Sequence, residues 1–489
     1  MGYTYRFERS RLPVPVVEGK PEWVALYYKA WELAFQNVDD IGREGWKPQL
    51  TCMPGVGTIW QWDSCLMAFI TNYANGTLSA LNNLDNLYRL RRKSDGYMSM
   101  AYRIEEEAPA YGERINPPLM AWAEWEAYLV SGDCSRFARV LPALEGCFDY
   151  IEKKRTRSCG LYWFEDPGSS GMDNAPRGGY LSAELSGSDL CHIDLACQQA
   201  LSAECIAKIH EVLGNPEKAA FYHAEHQRIC DLINRYHWSE KGQFYFDFFS
   251  RDNPNAKVKF LNSKTMASSW TLLCGAAKGE RGERMIEHLF DPEEFYTKVP
   301  FASLSRDDPN YDSTGGYWLG GVWAPTNFAA IRGVAQCGRP ELAREAAIRY
   351  LDAVCVVAND PAYGSIWECY APEEHRPATV ETGEWVRRDF VGWSGIAPIT
   401  MLIENIIGLR FDARNNTVSF HPYPGRCGLR NMRFNGNMVF VECTEYAPAA
   451  GKSTIKVTAE KPFTLKVKTD TAREETVIGV PGGEHTYRV

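Results

Sequence analysis

The chain has 489 residues, 45% of them hydrophobic and 24% charged, with a formal net charge of −9. That composition suits a folded enzyme with a large core, and its scattered acidic residues argue against a nucleic acid or an anionic membrane as partner. No run of eighteen apolar residues occurs, so no bilayer-spanning helix is expected.

The N-terminus, MGYTYRFERSRLPVPVV, lacks the apolar stretch of a signal peptide. Fifteen cysteines, an odd number without a CxxC pair, read as small buried hydrophobes in a reducing compartment. A cytoplasmic protein with no metal and no cofactor is expected. Helical periodicity then appears near 22–37, 60–73, 77–93, 117–131, 136–155 and 190–213. It continues near 215–237, 265–278, 280–290, 321–336, 340–357 and 394–407. Gly214-Asn215-Pro216 and Gly338-Arg339-Pro340 each stop one helix and start the next. Six antiparallel pairs predict a mainly α fold, an (α/α)6 barrel over residues 1–407 with a short N-terminal extension. Short connections close one end. The long ones, 94–116, 156–189, 291–320 and 358–393, gather at the other and build a cleft.

After Gly408 the period changes to two: NTVSFHPY, NMVFVECTEY, STIKVTAE, FTLKVKTD and EETVIGV alternate between turn residues. Residues 408–489 are therefore read as a small antiparallel β-sandwich, with no clustered acids or aromatics and a structural role.

The long loops carry the chemistry. GSSGMDNAP sets Asp173 among glycines, serines and a proline, which rule out a helix interior. TIWQWDSCLMAF places Asp63 beside Trp60 and Trp62 at a helix entrance, where capping and hydroxyl binding predict the same residue. Asn116 precedes two prolines at another entrance. STGGYWLGGVWAPTNF combines glycines with Tyr317, Trp318 and Trp323; YGSIWECYAPE sets Glu368 beside Trp367; RRDFVGWSG adds Trp393. Acids among aromatics suit sugars, whose C–H faces stack on rings while carboxylates take hydroxyls. Glycoside cleavage needs two carboxyls across the bond. Trp122 and Trp125, at helical spacing, read as core; His192 and Asp194 as a helix-entry pair; Asp312, Glu373 and Glu374 as solvated charges.

WQWDS, GMDNAP, GGYWLGGVWAPTN and IWECYAPE, in this order on a twelve-helix pattern, resemble the trehalase-like clan over residues 20–407. More narrowly they resemble glycoside hydrolase family 63 and its bacterial processing-glucosidase-like and mannosylglycerate hydrolase-like members. The resemblance implies net inversion of α-glucosides or α-mannosides, with Asp173 as general acid and Glu368 as general base. It further implies that Asp63 holds hydroxyls of the sugar before the bond and that Trp318 and Trp323 line that pocket. Inversion calls for a carboxyl separation of roughly 6.5–9.5 Å. One departure stands out: many members carry Arg-Gly-Pro after GYW, where this chain has Leu319-Gly320-Gly321. The lost cation favours a neutral glycoside over a charged aglycone, with Arg103, Arg114, Arg177 and Arg388 as the possible replacements. An exo-acting α-glucosidase on a short α-linked substrate is the leading expectation. A sugar epimerase or isomerase on the same barrel and a non-catalytic glycan-binding protein are the alternatives, the former usually needing catalytic histidines, which the four motifs lack.

Overall fold

The computed structural model describes residues 6–177, 190–250, 259–447, 453–469 and 474–489. Residues 178–189, the end of the second long connection, lie outside that description. Among the described residues eleven α-helices and one π-helix match the twelve periodic segments one for one. They are α1 (Pro21–Gln36), α2 (Gln61–Thr71), α3 (Leu81–Leu90), α4 (Met120–Ser131), α5 (Phe137–Lys154) and α6 (Ile193–Val212). Then follow α7 (Pro216–Tyr236), the short α8 (Trp270–Leu273), α9 (Gly279–Leu289), α10 (Ala324–Gln336), α11 (Pro340–Asn359) and the π-helix Ala397–Ile407.

Burial alternates along this series. Every residue of α2, α8 and the π-helix is buried, whereas α7 and α9 each bury one stripe. A helix buried on all sides belongs to an interior, and a striped one covers it. Packing follows: α2 touches α4, α4 touches α6, α6 touches α8, and α8 touches α10. The π-helix packs on α10 and α2. The sharp links fit their residues, since Gly214 and Gly338 adopt left-handed backbone and Pro216 and Pro340 open the next helix.

Two segments depart from expectation. Over 265–278 only Met266–Leu273 is helical, because Gly275 turns left-handed and ends the run. The last segment winds as a 3-10 turn, Trp393–Ile396, and then as a π-helix. Each of its residues is buried, as in α2 and α8.

Beyond Gly408 the chain is sheet-rich. One sheet contains Leu409–Asp412, Thr417–Phe420, Phe463–Val467 and Thr476–Val480. The other contains Cys427–Phe434, Asn437–Glu445, Thr454–Ala459 and Gly483–Arg488. Two expectations need correction. Thr417–Phe420 pairs with Phe463–Val467 in parallel, so the sheets are not wholly antiparallel. Val14–Val17 adds an edge strand by pairing with Cys427–Arg430, so the sheet region is not confined to 408–489. Four residues containing a proline carry little strand signal, and a sheet edge is where proline is tolerated. One apolar core runs continuously from the helices into both sheets.

Candidate active site

A cavity of about 260 Å³ is lined by residues from all four long connections: Met100, Tyr111 and Asn116; Gly168, Gly171 and Asp173; Tyr317 and Trp318; Glu368, Arg387 and Trp393. Met53, Val56, Trp60, Trp62 and Asp63 complete the wall. The two expected catalytic carboxyls and most of the expected binding residues therefore meet here, and each position has a local cause.

Asp173 follows a short 3-10 turn, Pro167–Ser170, which Asp166 caps by accepting from the Ser169 N–H at 2.8 Å. Gly171 is left-handed, and a Cβ there would lie 2.4 Å from the Trp62 ring. Only glycine lets this loop lie flat on that indole. Asn174 then clamps the loop to the aromatic segment opposite: its Nδ2 donates to Gly316 O at 2.9 Å and its Oδ1 accepts from Trp318 N at 2.8 Å. Asn116 ties the near side, accepting from Trp62 N at 3.3 Å and donating to Ser169 O at 3.1 Å. Arg177 anchors the far end. Its buried guanidinium donates to both carboxylate oxygens of Asp194, each at 2.7 Å, and to those of Asp247 at 2.8 and 2.9 Å.

Glu368 is buried and held through both carboxylate oxygens and its main-chain carbonyl. Its Oε1 accepts from the Tyr317 hydroxyl at 3.1 Å and its Oε2 from the Arg387 N–H at 3.2 Å. Its main-chain carbonyl accepts from Trp393 Nε1 and Ser394 Oγ, both at 3.1 Å. Tyr317 has left-handed backbone, φ 64°, within a Gly315-Gly316 turn that Asp312 braces by accepting from Thr314 N and Oγ1. Asp312 is therefore a structural brace rather than a free surface charge. Glu373 is likewise engaged, with Arg306 and Tyr311.

Asp63 does not cap α2 with its side chain. It is buried in the first turn, where its Oδ1 accepts from the Cys52 thiol at 3.0 Å. Trp62 contacts the rings of Trp318 and Trp393 at centroid distances of 6.4 and 5.5 Å, and Trp60 meets exposed Tyr111 at 5.3 Å.

Two expected wall residues stand elsewhere. Trp323 is fully buried behind the wall, stacked parallel on Trp318 at 4.1 Å. Trp367 faces away because it neighbours Glu368 on extended backbone bridged to Arg388, and successive residues there point to opposite faces. The same alternation turns Arg387 toward the cavity and leaves exposed Arg388 outside it. Of the proposed replacement cations, Arg177 is buried in its ion pairs, Arg114 pairs with Asp166, and neither these nor Arg103 lines the cavity. Arg387 lines it instead. Its signal is the strand-like pairing with 368, which neighbouring sequence does not reveal. His192 and Asp194 also lie outside the cavity wall, and no histidine lines it among the described residues.

The carboxyls have unequal surroundings. Asp173 meets water in the cleft but has protein around its other sides; that burial, with the charges of Glu368 and Asp166, pushes its pKa up to about 7. Burial also raises Glu368, opposed by the Arg387 N–H, the Tyr317 hydroxyl and the Arg387 charge. Glu368 thus has donors that favour its ionised form, whereas the influences on Asp173 all favour the protonated one. Burial pushes Asp63 to about 7 as well, against the hydrogen bond from Cys52. Its raised value means the folded state holds its proton longer than the unfolded state. Stability is thus lost as pH climbs from about 4 through 7. Asp63→Asn removes that penalty. Urea unfolding at pH 8 is expected to show a gain on the order of 2 kcal/mol that fades toward pH 4.

The model of the mannosylglycerate hydrolase MGH1-like glycoside hydrolase domain matches residues 58–390, a span that includes Asp63, Asp173 and Glu368. An uncharacterized protein of Borreliella burgdorferi is 28% identical over 94% of this chain and 95% of its own. The mannosyl-oligosaccharide glucosidase of Saccharomyces cerevisiae is 23% identical over 45% of this chain, which spans only 26% of that longer protein. The fold is similar to that of the family 63 mannosylglycerate hydrolase of Thermus thermophilus, solved with glucose, at a TM-score of 0.62 and 19% identity, covering 77% of this chain and all of that one.

Proposed function

The chain belongs to the mannosylglycerate hydrolase MGH1-like glycoside hydrolase family, and from that premise we propose an inverting, exo-acting α-glycosidase that releases one hexose, as an α-glucosidase, from a short substrate. The supporting observation is a single one: Asp173 and Glu368, from different long loops, line one small cavity with aromatic walls.

In this reading the helices form an (α/α)6 barrel, residues 408–489 with the Val14–Val17 strand form an accessory sheet region, and the cavity is the barrel's open mouth. Asp173 is the general acid. Its raised pKa keeps it protonated near neutrality, ready to protonate the leaving oxygen. Glu368 is the general base. Hydrogen bonds from Tyr317 and Arg387 fix its carboxylate to take a proton from water as that water attacks the anomeric carbon. Asp63 and Asn116 receive the hexose hydroxyls, Trp62, Trp318 and Trp393 enclose its faces, and Trp60 with Tyr111 flanks the aglycone. About 260 Å³, below the ~300–1,000 Å³ of drug-sized pockets, suits a terminal ring rather than a chain running through. No disulfide joins the cysteines among the described residues, which fits the cytoplasm.

Proton NMR during hydrolysis of aryl α-glucosides and α-mannosides tests the reading. The β-hexose is expected to appear first; initial α-hexose rejects inversion, and binding without turnover favours a glycan-binding protein. Arg387 supports a second reading of the aglycone alone, one that bears a carboxylate, so Arg387→Ala is expected to weaken turnover of an anionic glycoside more than that of a neutral one.

A further inference from the structure

We infer that Cys52 is a positioning residue for Asp63, its thiol holding the carboxylate in the orientation that receives the sugar. The inference rests on the reading of Asp63 as a hydroxyl acceptor and adds a residue outside the family-model match, which begins at 58.

Two independent observations carry it. Cys52 Sγ donates to Asp63 Oδ1 at 3.0 Å, and among the described residues no other side chain donates to Asp63. Both groups are buried, 4% and 2% exposed, so water does not substitute for the thiol at that oxygen. The second observation concerns the opposite side of Cys52. A Cβ on Gly392 would stand 2.2 Å from the Cys52 Cβ and 3.2 Å from its Cα. Residue 52 is therefore pressed against the backbone that leads into Trp393, itself part of the cavity wall. The contact leaves the thiol little freedom and links one wall of the cavity to another.

A thiol is a weak donor in water, but here it faces a charged acceptor without competition. The other titratable groups that act on Asp63 are Glu368 and Asp173, both of which raise its pKa, and the Cys65 thiol senses its charge from the same helix. Cys52 alone among these side chains favours the ionised carboxylate. Its removal frees the side chain to rotate and extends protonation to higher pH.

Infrared spectroscopy and binding test this together. The wild-type minus Cys52→Ala spectrum isolates one S–H stretch, which is expected to shift when measured again in the Asp63→Asn background. Cys52→Ala is expected to weaken glucose or mannose binding by calorimetry, and to raise KM, about tenfold, as for loss of a hydrogen bond to a charged group. The change in kcat is expected to be smaller, and Cys52→Ser to recover most of the loss. An S–H band indifferent to Asp63→Asn overturns the inference, as does normal binding and KM in a folded Cys52→Ala when Asp63→Asn impairs both. If Asp63→Asn itself leaves hexose binding and KM unchanged, the role given to Asp63 fails, and the inference with it.

Discussion

Asp173→Asn and Glu368→Gln are each expected to lower kcat/KM on an unactivated α-glycoside by about 10³-fold or more, the scale of a lost proton-transfer group. The two losses differ in kind. An acid matters in proportion to how poorly the leaving group departs, so Asp173→Asn keeps much more activity on a dinitrophenyl glycoside, whose phenolate needs no proton. A base that activates water is needed whatever leaves, so Glu368→Gln loses activity on both. Direction with pH follows from the environments. Wild-type kcat/KM falls as pH rises through about 7, where Asp173 gives up its proton, and falls at the acid side as Glu368 gains one. The residual activity of Asp173→Asn on the activated substrate is expected to lose the alkaline limb. Equal losses on both substrates would contradict the assignment of acid and base. Glu368→Gln places an amide donor against the Arg387 N–H or turns it toward Tyr317, a cost of about 1 kcal/mol that leaves the fold intact.

What the sequence discloses and what it withholds follow from the range of the forces involved. Helix period, Gly-Pro punctuation and the switch to alternation after Gly408 are local, and the twelve helical segments follow them. Asp173, Glu368 and Asp63 were legible because glycines and tryptophans surround them in sequence as well as in space. Tertiary pairing is different. Arg387 faces the cavity because it lies across from Glu368, nineteen residues away, and Trp367 turns outward for the same reason. Trp323 has the sequence context of Trp318 but stacks behind it, since two parallel indoles cannot both face the cavity. Cys52, a small residue before a Met-Pro-Gly turn, carries no local sign of its contact with Asp63. The Val14–Val17 strand takes its partner from more than four hundred residues away.

The Arg177 cluster sets the largest expected effect on stability. Its guanidinium is 1% exposed and serves two carboxylates, Asp194 at the start of α6 and Asp247, which also accepts from Ile193 N at 2.8 Å. Burial of these three charges is costly, and their geometry offsets the cost only while all three are present. Arg177→Ala leaves two buried carboxylates facing one another, an expected loss of about 3–5 kcal/mol. The sign of the pH response separates this cause from lost packing. In the wild type burial raises both carboxyls and the Arg177 guanidinium opposes it. The guanidinium prevails at Asp247, held down to about 2, whose contribution is present above the ordinary carboxylate range and is lost as acid protonates it, whereas Asp194 stays raised and opposes that trend. In Arg177→Ala the unpaired carboxylates retain a shared proton to higher pH, so the variant's deficit shrinks toward pH 5 and grows toward pH 8. Urea unfolding at both values reads this directly, and a deficit independent of pH would assign the loss to packing instead. Because Arg177 lies four residues after Asp173, a milder Arg177→Lys, which keeps a charge but not the fork, is expected to lower kcat before it lowers stability as far. Anchoring of the acid's loop and neutralisation of the helix entrance are thus one interaction, and the strength of the second is what fixes the first.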